Sequence, residues 1–88
     1  MSETKRTIAG IEWQPKGYSA EDWIARHKGV SGCAWTSRSY VRERTTWVAE
    51  FAFWRGSRQT LLGVCGFKTM RGAVTKLVML TRKMGANV

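Results

Sequence analysis

The sequence is short of acids, of metal-ligand types and of residues that stiffen a chain. Its 88 residues include only six Asp plus Glu, one His, two Cys and one Pro. One histidine and two cysteines fall short of a four-ligand zinc site unless carboxylates complete it. Neither Cys33 nor Cys65 lies in a C-x-x-C motif or has a histidine at metal spacing. Both read as small core fillers, the common role of a cysteine on a strand, with a disulfide left open. The few carboxylates and His27 form no nucleophile–base spacing, and neither Gly63 nor Gly66 is followed by the Lys-Ser/Thr of a phosphate loop. No enzyme, cofactor or metal is expected. Long apolar runs are missing too: nothing nears the roughly 18 residues of a membrane span. The opening MSETKRTIAG lacks the apolar core of an export signal. The expected setting is intracellular, the cytoplasm or nucleoid of a bacterial host, with no membrane association.

What the chain has in excess is positive charge. Fifteen Lys plus Arg give a formal net charge of +9, and 43% hydrophobic residues with five Trp argue for a folded domain rather than disorder. The charge is unevenly spread. Residues 1–28 carry five basic and four acidic groups, whereas residues 29–88 carry ten and two. Such a surplus on so short a chain points to a polyanionic partner. The competing reading is a solvated basic surface with no partner.

The length fits one domain, 1–88. Residues 1–31 read as an arm with a short helix, and residues 32–85 as a three-stranded sheet plus a helix. In GYSAEDWIARHKG, Ser19 and Asp22 stand at capping-box spacing, Tyr18 and Trp23 at the spacing of a hydrophobic staple, and Gly29 supplies a stop. Trp23, Ile24 and His27 then share a helical face, with His27 as a packing residue. From residue 32 the period becomes two: GCAWTSRSYV, TTWVAEFAFWRG and SRQTLLGVCGF read as strands joined by short links, hence antiparallel. In TMRGAVTKLVMLTRKMG, Ala73, Leu77, Leu80 and Met84 recur at helical spacing, and Gly85 is a candidate C-cap. The expected fold class is α+β: a three-stranded antiparallel meander packed on a C-terminal helix, with an extra N-terminal helix. One sheet face would stay open unless the N-terminal helix covers it.

Gly32-Cys33-Ala34-Trp35, Trp47-Val48-Ala49-Glu50-Phe51, Leu62-Gly63, Phe67 with Thr69, and Ala73-Val74 occur in an order that resembles the DNA-binding domain of plant ethylene-response factors. This Apetala-two type domain has relatives in phage homing endonucleases, and the resemblance spans about residues 30–85. It implies a sheet laid into the DNA major groove, in a phage- or mobile-element-derived protein with a role in transcription regulation. The groove is about 12 Å wide and admits a β-ribbon. Thr36, Arg38, Glu50, Trp54 and Gln59 are then candidates for the open reading face. Arg42, Arg44, Arg55 and Arg58 are candidates for phosphate contacts at strand ends and turns. The leading expectation is double-stranded DNA binding. Double-stranded RNA is an alternative, since helix–strand–strand–strand–helix is also the order of an RNA-binding domain. A third is an antagonist of a host protein, for which exposed tryptophans serve equally well.

Overall fold

Two glycine-bearing turns near the N-terminus decide the architecture. The computed structural model describes residues 5–17, 21–39, 44–86 and 88. Ala9 and Gly10 have φ of 52° and 82°, and Lys28 and Gly29 have φ of 50° and 82°. Positive φ at both central residues is the signature of the two-residue type I′ turn, whose twist matches antiparallel strands. The first turn joins β1 (Arg6–Ile8) to β2 (Ile11–Pro15), and the second joins β3 (Asp22–His27) to β4 (Val30–Ser39). Residues 22–27 are therefore a strand.

The expected fold is corrected here. The chain forms one six-stranded antiparallel sheet in the order β1-β2-β3-β4-β5-β6, followed by a single helix. The remaining elements are β5 (Arg44–Arg55), β6 (Arg58–Phe67) and α1 (Met70–Lys83). Where an N-terminal helix was expected, β3 buries Trp23 and Ala25 and exposes Asp22, Ile24 and Arg26. Trp23 and Ile24 thus face opposite sides instead of sharing a helical stripe. The apolar Ile24, 41% exposed, breaks the alternation that would have marked the strand. The expected capping residue Ser19 and staple residue Tyr18 lie outside the described residues. Gly29 ends no helix; it completes a hairpin turn.

The β5–β6 connection uses different turn chemistry. Gly56 alone is in the left-handed region, at φ 63°. A glycine at the first central position is the type II′ solution. Further along, the register shifts between Trp47 and Ala49, so that Cys65 and Gly66 of β6 together oppose Val48. Gly66, at φ 84°, supplies the backbone for this bulge.

A cross-strand row shows how the core closes. Trp13, Ala25, Gly32, Phe51 and Leu62 are successive register partners across β2 to β6. Three strand spacings would hold Trp13 and Phe51 about 14 Å apart in a flat sheet. Instead their rings stack with centroids 6.0 Å apart and planes 15° from parallel. The rings lean together over Ala25 and Gly32, where no large side chain intervenes. A Cβ on Gly32 would lie 2.7 Å from Phe51 and 2.9 Å from Trp13. Gly32 is a space requirement of the core.

The helix seals the same side. Met70, Ala73, Val74, Leu77, Val78 and Thr81 are its buried residues, a stripe at i, i+3, i+4 spacing. It packs chiefly on β5 and β6 and also touches β4 and β1, so sheet and helix share one core. The Thr69 hydroxyl caps its start by accepting from the Gly72 N–H at 3.0 Å. Gly72 leaves room for that contact: a Cβ there would meet the Thr69 hydroxyl at 3.2 Å. At the other end Ala86 N–H donates to the Thr81 carbonyl and Gly85 N–H to the Arg82 carbonyl, with Gly85 at φ 90°. That pair is a Schellman motif. Among the described residues no helix is long and apolar enough to cross a membrane.

Candidate nucleic-acid interface

Strand alternation assigns every described strand residue to one of two faces. The inward phase is set by the buried residues: Trp13 on β2, Trp23 and Ala25 on β3, Ala34 on β4, and Ala49, Phe51 and Phe53 on β5. No element covers the opposite face among the described residues.

That bare face holds Glu50, Trp54 and Gln59 of the expected reading surface. Trp54 is 64% exposed and pairs in register with Gln59. Glu50 lies between Cys33 and Gly63 in its row, and its side chain runs over Gly63, whose Cβ would sit 3.0 Å from Glu50 Cγ. Thr36 and Arg38 are not there. They register with Trp47 and Thr45, in phase with Ala34 and Ala49, and so belong to the helix side. The bulky Trp35 misleads the phase: it lies half-buried on the bare face, while small Gly32 and Ala34 point to the core. Cys33 and Cys65 are also misplaced by the sequence reading, since both thiols are free and exposed. His27, half-buried at the end of β3, lies on a strand in the helix-side phase.

The strand-end arginines separate as well. Arg42 lies outside the described residues. Arg44 pairs with Ser39 at the end of β5 and takes the bare-face phase. Arg55 and Arg58 face each other across the hairpin in the helix-side phase. They line a cleft of about 660 Å³ with Trp54, Thr60 and the Met84–Ala86 turn that ends the helix.

The outcome is a charge division between faces. The bare face carries Glu12, Asp22 and Glu50 against Arg26 and Arg44. In the strands and helix, the other side carries Arg6, Arg38, Arg55, Arg58, Arg71, Lys76, Arg82 and Lys83 with no carboxylate. Glu21, in the turn ahead of β3, accepts a hydrogen bond at its backbone carbonyl from the Thr36 N–H. The helix alone supplies four of these cations and no acid. At roughly 1.5 Å per residue, Arg71 and Arg82 stand about 16 Å apart along its axis. That is about five phosphate steps of one strand of a duplex. Arg6 is held over the Trp23 ring, 4.5 Å from its centroid, with Nη1 3.7 Å from Met70 Sδ. Arg82 Nε donates to the Val88 carbonyl at 2.7 Å.

A site on the sheet face leaves out Arg6, Arg71 and Lys76, and Arg82 and Lys83 are then only helix-end charges. The signal for the helix cations was present: an amphipathic 14-residue helix whose polar face contains bases and no acids. Among the described residues no group of three or more His, Cys, Asp or Glu is placed to hold a metal ion. No family model matches the chain, and no curated protein or solved structure is detectably similar to it.

Proposed function

We propose that this protein binds double-stranded DNA with the face that carries the helix, through phosphate contacts made by the cations of α1 and of the adjoining strand ends. The supporting observation is the charge division among the described strand and helix residues: eight cations and no carboxylate on one side, three carboxylates against two cations on the other. A polyanion is attracted to the first surface and meets repulsion at the second. The resemblance to the Apetala-two type domain favours the bare sheet as the docking face, and the carboxylates Glu12, Asp22 and Glu50 oppose it. Binding of this kind is electrostatic and weakly sequence-selective, because phosphate contacts position a protein without reading bases.

Fluorescence anisotropy on a short DNA duplex, titrated at several salt concentrations, tests the reading. About five phosphate contacts predict a log–log salt slope near −4.5. Replacing Arg71, Lys76 and Lys83 together by Gln should flatten that slope by about 3. Replacing Glu12 and Glu50 by Gln should leave it unchanged. Absence of binding at low salt rules the proposal out. A response confined to the carboxylate variant moves the site to the sheet. A duplex RNA that competes better than the DNA assigns the surface to RNA instead.

A further inference from the structure

The two edges of the sheet are built differently. β1 is three residues long, and Arg6 is one of them. Short edge strands and edge charges are the usual protection against pairing with another chain. β6 has neither. It runs ten residues, and Gln59 to Phe67 contains no charge and no proline. None of its residues is buried, although Leu61, Leu62, Val64 and Phe67 are apolar, and Leu61 is 71% exposed. Its one irregularity is the bulge at Cys65 and Gly66, which leaves Arg58–Val64 as a regular seven-residue edge.

We propose that β6 is a homodimerisation edge, at which two copies of this chain pair antiparallel about a two-fold axis through Leu61. The sequence suits that register. The axis sets Leu61 opposite its own copy, Thr60 opposite Leu62, Gln59 opposite Gly63, and Arg58 opposite Val64. Both arginines therefore avoid a like-charged partner directly opposite, which would destabilise the pair. Leu61, the most exposed large apolar side chain among the described residues, becomes a cross-strand pair on the bare face. A second copy is the occupant that suits the edge, because about Leu61 the seven-residue stretch pairs with itself along its whole length and sets no two like charges opposite each other.

The size of the contact sets its strength. Seven residues at about 3.4 Å each give an edge of roughly 24 Å. Against a molecular thickness of 19 Å, that is on the order of 450 Å² per copy, below the range of stable specific interfaces and within that of weak, transient ones. The dimer is therefore a reversible, concentration-dependent one. Its axis runs perpendicular to the sheet, so both helices lie on the same side of a continuous twelve-stranded sheet.

Sedimentation equilibrium without nucleic acid separates this inference from the binding proposal. The expected result is reversible growth from the 10.0 kDa monomer to twice that mass across the micromolar range. Leu61→Lys should weaken association at least tenfold, while Met79→Lys, at the exposed apolar position of the helix, should not. An unchanged far-ultraviolet spectrum and melting temperature of the monomer exclude misfolding as the cause. In a Cys33→Ser, Cys65→Ser background, Leu61→Cys should oxidise to a covalent dimer and Met79→Cys should not. Residues directly opposite in an antiparallel pair sit about 4.5–5.5 Å apart, within disulfide reach. A monomer at every concentration, a dimer indifferent to Leu61→Lys, or failure of Leu61→Cys to cross-link overturns the proposal.

Discussion

The two faces of the sheet are written into the same strands, one residue apart, and they obey different rules. On the helix side the buried positions are constrained by what stands beside and above them. Gly32 has no side chain because two rings occupy that space, and Trp13 and Phe51 stack across the strands between them. On the bare face Trp54 and Leu61 stand largely in solvent, and Glu50 folds over Gly63 without enclosure. Charge follows the same division from the opposite direction. The face that holds the core is rimmed by cations, because the helix that covers it exposes only basic charges. A single layer of helix thus determines both where apolar area is buried and where positive charge gathers.

The sharpest way to break this comparison is to truncate one aromatic ring on each face. Phe51→Ala removes half of the stack and should cost about 3–5 kcal/mol in denaturant unfolding. Trp54→Ala on the same strand should cost less than about 1 kcal/mol. Equal losses would mean that the bare face is a second core. The two strand glycines give a smaller contrast. Gly32→Ala forces a methyl group against Phe51 and Trp13 and should destabilise by about 1–3 kcal/mol. Gly63→Ala crowds only the exposed Glu50 chain, which can swing aside, and meets the Ala49 carbonyl oxygen at an ordinary 3.4 Å, so it should stay within about 0.5 kcal/mol. Smaller than the core losses is the effect expected at the helix start. Thr69→Ala removes the acceptor for Gly72 N–H and should lower the melting midpoint by an amount equivalent to about 1 kcal/mol. Thr69→Ser, which keeps the hydroxyl, should restore most of it.

The later elements were the more legible in the sequence, and the reason is local. Trp47, Ala49, Phe51 and Phe53 alternate without interruption, Gly56 marks its turn, and the helix carries an apolar stripe, basic charge near its end and a glycine stop. Each of those signals lies within a few residues. The first three strands were read wrongly because their signals conflict. Ile24 puts an apolar residue on the outer face, and Ala9-Gly10 and Lys28-Gly29 adopt turns more often advertised by Asn-Gly or Asp-Gly. Ser19 and Asp22 meanwhile imitate a helix cap. The resulting fold, a meander of three strands with an added helix, does not survive. The site was less legible still. Thr36 and Arg38 were assigned to the wrong face by a phase error of one residue, which moves every side chain of a strand across the sheet.

Composition by itself determined that this chain is strongly basic, that it folds around apolar strands and a C-terminal helix stripe, and that its cations concentrate after residue 28. These are sums and short-range periodicities, and no distant contact alters them. Only the tertiary structure decided which way each strand faces, that the first three strands extend the sheet, and that β6 ends it unguarded. Phase, register and edge status are relations between segments far apart in the chain. A side chain acquires a face only when its neighbouring strand has been placed.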